Sequence, residues 1–198
     1  MSEPLHEAPL HVTFVCSGNI CRSPMAEKMF AHQLAQRGLA GLVRVSSAGT
    51  GDWHAGAGAD DRAVRVLSER GYPAEHRAAQ ISAEHLSADL VIALGRNHQR
   101  ILAERGVEAD RLRMLRSFDP RAGAHALDVE DPYYGGHGDF EDVLAVIESA
   151  LPGLHTWVDD RLGGPIRGPD GVGFDMRRLT FLFRPGWIAL ALVVAGFA

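Results

Sequence analysis

A run of β-favouring and apolar residues, His11-Val12-Thr13-Phe14-Val15, ends directly on Cys16-Ser17-Gly18-Asn19-Ile20-Cys21-Arg22-Ser23, and a helix-forming stretch opens at Pro24-Met25-Ala26-Glu27. A strand, a tight loop and a helix in that order place the loop where a strand ends and a helix begins. Backbone N–H groups of such a loop can all point inward, and the helix N-terminus adds its positive end, so the segment is built to hold an anion. The same field favours the thiolate of Cys16, which is the nucleophilic form. Arg22 supplies a planar fork that matches two oxygens of a phosphate. Gly18 permits a backbone angle that other residues resist, and Asn19 tolerates the left-handed region. An isolated cysteine is more often a small core residue. Here the strand–loop–helix setting and the Gly-Asn turn chemistry favour a phosphate loop with Cys16 as nucleophile.

Far downstream stands Asp131-Pro132-Tyr133-Tyr134-Gly135-Gly136. Pro132 fixes its own φ and biases Asp131 toward extended backbone, which holds a carboxyl group at a loop tip. A leaving phenolate needs a proton, and an aspartic acid there can serve as general acid. The adjacent tyrosines can wall a pocket for an aromatic side chain. Alone, this segment is a turn signal; paired with the cysteine loop it reads as the second half of an active site.

Together the stretches VCSGNICRSPMAE (15–27) and DPYYGG (131–136) resemble the signature loops of the low-molecular-weight protein tyrosine phosphatases, most closely the actinobacterial members. Ser46-Ser47-Ala48-Gly49-Thr50-Gly51-Asp52-Trp53 is similar to that family's segment after the second strand, and His76-Arg77-Ala78-Ala79-Gln80 to another family element. The resemblance extends from Leu10 to Leu162. It implies an α/β fold of three layers, a four-stranded parallel sheet in order 2-1-3-4 with helices on both faces and the phosphate-binding loop after strand 1. It implies catalysis by Cys16, Arg22 and Asp131 through a cysteinyl-phosphate, with Ser23 donating to the Cys16 sulfur. Asn19 would hold a strained backbone, supported by Ser23, Ser47 and His76, with Glu27 pairing His76. Ser17, Gly18, Ile20 and Cys21 would line the substrate site, walled by Trp53, Tyr133 and Tyr134. A deep aromatic slot suits phosphotyrosine-containing proteins, with inorganic phosphate as product. The resemblance also implies a tyrosine kinase acting on Tyr133 or Tyr134, and Cys21 as a disulfide partner of Cys16 under oxidation. The residues themselves leave Cys21 equally open to being a packed thiol. No cofactor is needed, because the loop supplies the electrophilic stabilisation. One departure stands out: Ala93-Leu94-Gly95-Arg96 carries Gly95 where the family has an aspartate, so an effect on local order or ionisation is expected there.

The rest of the chain supports this reading. Its 198 residues allow one ordinary domain with a proper core. A net charge of −5 excludes a general nucleic-acid binder. Both cysteines lie in one loop, so there is no disulfide framework and a reducing compartment, the cytoplasm, is expected. No signal peptide precedes the domain, and export without one is the alternative. The ten histidines show no zinc-site spacing, and no metal is assigned.

Periodicity and punctuation predict strands at 11–15, 43–47, 90–94 and 112–115. They predict a helix from Pro24 to Arg37 capped by Ser23 and closed by Gly38, and helices over 61–70 and 96–105 closed by Gly71 and Gly106. A last helix starts at Asp139 and runs to Leu151, or on to Leu162 with a kink at Pro152-Gly153. Short apolar strands alternating with helices argue for a covered parallel sheet.

The domain is thus expected over 1–162, followed by a Gly/Pro-rich linker at 163–175 and an apolar tail at 176–198. The run Trp187–Ala198 is too short to span a bilayer, which takes roughly 20 residues. The tail reads first as the start of a neighbouring membrane protein joined by fusion, frameshift or truncation, then as an interfacial anchor, then as a docked helix. Membrane contact is expected only if it belongs to the protein. Two other function classes share parts of the pattern. An arsenate reductase of the same fold needs further cysteines to relay a disulfide, and none follows Cys21. A non-enzymatic phosphotyrosine-binding module would lack the nucleophile or the acid, and both are present.

Overall fold

The computed structural model describes residues 9–123 and 125–164. The apolar tail and all of the linker after residue 164 lie outside the described residues. Four parallel strands, β1 (Leu10–Cys16), β2 (Val43–Gly49), β3 (Leu90–Ala93) and β4 (Leu112–Met114), form one sheet in the order β2-β1-β3-β4. Five α-helices connect or follow them: α1 (Arg22–Gln36), α2 (Asp61–Glu69), α3 (Ala83–Leu86), α4 (Arg96–Glu104) and α5 (His137–Arg161).

The side-chain alternation of β1 splits the core in two. Val12, Phe14 and Cys16 join Met25, Phe30, Leu34, Val66 and the apolar stripe of α5 on one face. Val15 joins Ala48, Val91, Ala93, Leu102 and Met114 on the other, beneath α4. All four residues of β3 are buried, as a parallel strand covered on both sides must be. Phe14 and Phe30 meet edge to face with centroids 6.0 Å apart, an arrangement that adds about 0.5–1.5 kcal/mol beyond area burial.

The element boundaries depart from the sequence expectation at informative places. Helix α1 begins at Arg22, two residues before Pro24, with Cys21 rather than Ser23 at the N-cap position. Ser23 lies inside the first turn and its hydroxyl contacts Cys16 and Asn19 instead of capping the helix. Leu115 leaves β4 to open a 3₁₀ turn, Leu115–Phe118. The single turn α3 is too short for periodicity to mark. The glycine stops are as read: Gly38, Gly71 and Gly106 all have positive φ just past α1, α2 and α4. Helix α5 starts at His137 and continues through Pro152 to Arg161. Gly153 has a packing role: a Cβ there would lie 2.1 Å from the Phe118 carbonyl oxygen, so only glycine lets α5 approach that turn. Among the described residues no helix is long and apolar enough to cross a membrane.

Candidate active site

The loop between β1 and α1 is held from outside by its carbonyl groups. The carbonyls of Cys16 and Ser17 accept from Thr50 N and Gly51 N at 2.8 and 3.0 Å, and that of Ile20 accepts from Asp60 N at 2.8 Å. The Asn19 carbonyl accepts from His76 Nε2 at 2.8 Å. Among the described residues, no protein acceptor takes the N–H groups of residues 17–21. With the carbonyls of Cys16, Ser17, Asn19 and Ile20 taken by the scaffold, the amides of residues 17–21 are left as donors without a protein partner, as an anion-binding loop requires.

Asn19 is the turning point. Its φ of +56° is the only positive value at a non-glycine residue among those described. The left-handed region costs roughly 1–2 kcal/mol. Four hydrogen bonds oppose that cost: Nδ2 donates to Ser23 Oγ at 2.9 Å and to Ser47 Oγ at 2.8 Å, Oδ1 accepts from Ala79 N at 2.8 Å, and the carbonyl takes His76. At about 1 kcal/mol net each, they outweigh the strain. Ser47 in turn donates to Glu27, whose Oε2 lies 3.8 Å from His76 Nδ1. Because a carbonyl can only accept, His76 carries its proton on Nε2. Burial holds the His76 pKa below its ordinary value, with the Asn19 carbonyl and Glu27 opposing. The structure thus brings Ser23, Ser47 and His76 onto Asn19, with Glu27 behind Ser47 and His76. Gly18 differs from expectation: its φ is not positive. A Cβ there would lie 2.8 Å from the His54 ring and 3.3 Å from Trp53 Nε1, so the glycine serves close approach.

Cys16 sits 2% exposed at the floor of a cavity of about 400 Å³. Its Sγ is 3.0 Å from Ser23 Oγ. Asn19 donates to that hydroxyl, leaving its hydrogen for the sulfur or for the Ala48 carbonyl at 3.5 Å; the shorter contact favours the sulfur. Arg22, on the first turn of α1, donates Nη1 to Val129 O at 3.1 Å and Nη2 to Asp131 Oδ2 at 2.5 Å. Its buried Nε has no partner among the described residues. Asp131 has the extended backbone expected before proline, and its other oxygen accepts from Tyr133 N at the start of the 3₁₀ turn Pro132–Tyr134. The cavity floor and sides are Ser17, Gly18, Ile20, Cys21 and Arg22, and Asp131 stands at one side. Trp53, Tyr133 and Tyr134 form the rim, exposed by 64%, 39% and 96%.

Three residues of the site were not legible beforehand. His54 lines the cavity and packs against Trp53 and Tyr133; its adjacency to Trp53 was the available signal. Arg62 braces the 16–23 loop, through Asp60, against the 131–136 loop. It donates to the Asp60 carboxylate, to Gly135 O at 2.7 Å and to Tyr133 O at 3.0 Å, and lies 4.7 Å over the Phe140 ring. Asp60 carries the brace on to the Ile20 carbonyl. The helix start at Asp60-Asp61-Arg62 was readable, but its long-range partners were not. The third, His98 on α4, is buried beside Ser17 with Nε2 2.9 Å from Ser17 Oγ. At Gly95, the N-cap of α4, Asp128 supplies a carboxylate from another loop, accepting from Arg96 N at 2.6 Å.

Both cysteines are free thiols in this structure. Burial pushes the Cys21 pKa up to about 12, with Asp60, Cys16 and Asp131 adding to it and Arg22 opposing. Cys21 is therefore expected to resist iodoacetate in the folded protein at about pH 7.5, where its thiolate fraction is negligible, and to react after denaturation. Fragment-ion mass spectrometry of the alkylated peptide distinguishes it from Cys16; equal labelling of the two thiols in the native protein would contradict the burial argument.

The family model of low molecular weight phosphotyrosine protein phosphatase matches residues 11–162. The chain is similar to low molecular weight protein-tyrosine phosphatase A of Mycobacterium tuberculosis, 73% identical over 154 residues that cover 78% of this chain and 94% of that protein. It is 46% identical to a low molecular weight protein-tyrosine-phosphatase of Streptomyces coelicolor, over 77% of this chain and 96% of that one. Among solved structures it resembles a protein tyrosine phosphatase of Entamoeba histolytica with Hepes in the active site. The TM-score is 0.72 at 28% identity, covering 77% of this chain and 99% of that one.

Proposed function

The chain belongs to the low molecular weight phosphotyrosine protein phosphatase family, and on that premise we propose that it removes phosphate from phosphotyrosine-containing proteins by a two-step reaction on Cys16. The observation that carries the reading is what lines one cavity: the buried Cys16 thiol, loop amides of residues 17–21 without protein acceptors, and the Arg22–Asp131 pair.

The Cys16 thiolate attacks phosphorus as the bond to the tyrosine oxygen breaks. Loop amides and the Arg22 guanidinium, through the otherwise unpartnered Nε and one Nη, hold the phosphoryl oxygens most strongly in the transition state. Asp131, protonated, gives its proton to the leaving phenolate oxygen. In the second step Asp131 takes a proton from a water that attacks the cysteinyl-phosphate. The S–P bond breaks, the thiolate is regenerated with Ser23 donating to it, and inorganic phosphate leaves.

Depth supports tyrosine as the substrate side chain. Cys16 is buried, while Trp53, Tyr133 and Tyr134 stand at the mouth. A long aromatic side chain reaches the sulfur and fills the slot; a phosphoserine is too short. The proposal is tested with matched phosphotyrosine and phosphoserine peptides. The tyrosine peptide is expected to be favoured in kcat/KM by roughly 10²-fold or more, the order of loss that an ångström of misplacement brings. Equal rates on the two peptides would reject the specificity. An arsenate reductase reading lacks its relay, since no cysteine follows Cys21.

The domain assignment follows: residues 1–162 as the phosphatase, 163–175 as linker and 176–198 as a separate tail, supported by the end of α5 at Arg161 and of the family match at residue 162. Two free thiols in the catalytic loop fit a reducing, cytoplasmic setting. Tyr134, the more exposed of the tyrosine pair, is the better placed of the two for a controlling tyrosine kinase.

A further inference from the structure

We propose that His98 is a positioning residue for the phosphate loop, donating from Nε2 to the Ser17 hydroxyl so that the Ser17 hydrogen is left to bind a phosphoryl oxygen. The inference rests on the phosphatase reading for the identity of the ligand and on the local geometry for everything else.

His98 lies on the first turn of α4, on the far side of the sheet edge from α1, and is 4% exposed. Among the described residues the single hydrogen bond of its ring is Nε2 to Ser17 Oγ at 2.9 Å. Its Nδ1 is buried and has no partner among the described residues. Gly95, which precedes the helix, has no side chain to offer one, and the nearby Asp128, which accepts from Arg96 N, makes no hydrogen bond to the ring. Two neutral tautomers must be compared. With the proton on Nδ1, the ring buries an unpaired N–H and Ser17 spends its only hydrogen on Nε2. With the proton on Nε2, the ring buries only an unpaired lone pair, and Ser17 accepts. A buried N–H without an acceptor is the rarer defect in folded proteins, so the Nε2–H form is favoured.

The charged groups facing the ring are Arg22 from α1 and Asp128 and Asp131 from the loop that precedes α5. Burial, reinforced by Arg22 and opposed by the two carboxylates, pushes the His98 pKa down to about 4. The imidazole is therefore neutral near pH 7, and the tautomer alone decides its hydrogen-bonding role. Ser17 then has a hydroxyl hydrogen with no protein acceptor among the described residues. Its residue lines the cavity above Cys16, and its own carbonyl is pinned by Gly51 N. A dianion in the cavity is the acceptor that completes the set, and a hydrogen bond to a charged group is stronger than one between neutral groups.

The test combines a spectroscopic and a functional arm. Long-range ¹H–¹⁵N correlation of the uniformly labelled protein near pH 7 is expected to show His98 neutral with the proton on Nε2; a proton on Nδ1 overturns the proposal. Inorganic phosphate is the probe in the second arm. Ser17→Ala is expected to weaken phosphate inhibition about tenfold, the order expected for one hydrogen bond to a charged ligand. His98→Phe is expected to do the same, and the double variant to lose no more than either single one. His98→Gln, whose amide nitrogen reaches the place of Nε2, is expected to recover most of the affinity. Additive losses in the double variant, an unchanged phosphate affinity in Ser17→Ala, or a failure of His98→Gln to exceed His98→Phe would each reject it. If His98→Phe does not fold, the tautomer and the Ser17→Ala affinity still decide. If the wild-type protein binds phosphate but hydrolyses no phosphomonoester, the phosphatase reading fails while both arms remain informative about His98.

Discussion

Cys16→Ser abolishes hydrolysis of p-nitrophenyl phosphate, by a factor on the order of 10⁴ or more, the scale seen when a covalent nucleophile is removed. The expectation follows from what the substitution leaves in place. The amides of residues 17–21, Arg22 and the network on Asn19 do not depend on the sulfur. A serine hydroxyl in the same place is a far weaker nucleophile at neutral pH, and Ser23, 3.0 Å from the sulfur, is a hydrogen-bond partner and not a base. Inorganic phosphate binding is therefore expected to survive in a variant that turns over nothing. The pair of measurements separates loss of chemistry from loss of the site: a folded Cys16→Ser protein with wild-type activity would remove the mechanism.

The second large effect is at Asp131. Asp131→Ala is expected to lower kcat on a phosphotyrosine peptide by roughly 10²–10⁴-fold, the range for a positioned general acid. The loss is smaller on p-nitrophenyl phosphate, whose nitrophenolate leaves more readily without a proton than tyrosine, with its ordinary pKa of about 10. Substrate binding is not expected to weaken, because the substitution releases Arg22 Nη2 from the carboxylate it holds at 2.5 Å. Stability is expected to change by less than about 1 kcal/mol, since the Asp131 side chain is half exposed and such ion pairs contribute little. The signature is a fall in kcat at unchanged or lower KM, graded by the leaving group. An equal loss of kcat/KM on both substrates would take Asp131 out of the protonation of the leaving group, and a matching rise in KM at unchanged kcat would place it in binding.

How much of this was readable in advance depends on the distance over which each feature is determined. Residues 10–23 and 131–136 encode strand, loop, helix start and Pro-fixed turn within a few neighbours. Periodicity and glycine stops located α2 and α4 within a residue or two. Errors arose where a local rule met a distant partner. Ser23 is a good N-cap by type, but Cys16 and Asn19 compete for its hydroxyl and win, so α1 starts earlier. Gly18 looked like a φ requirement, whereas the rings of Trp53 and His54, more than thirty positions away, exclude a side chain there. At Pro152-Gly153 the sequence left a stop at Leu151 and a continuation to Leu162 both open; α5 takes the second course and runs to Arg161, its apolar stripe buried on both sides of the proline. The sheet order β2-β1-β3-β4 came through family resemblance, not through periodicity, which carries no information on strand neighbours.

The residue types that can do the chemistry, a thiol, a guanidinium and a carboxyl group each at the mouth of a turn, are properties of the chain taken alone, because nucleophilicity, charge and φ preference belong to the residue and its immediate neighbours. Tertiary structure decided which groups those three face. It turned the loop carbonyls outward onto Thr50, Gly51, Asp60 and His76, drew Arg62 between the two loops, and set His98 beneath Ser17. Such pairings join residues far apart in sequence, and only closure of the parallel sheet, driven by burial of its two apolar faces, brings them within hydrogen-bond reach.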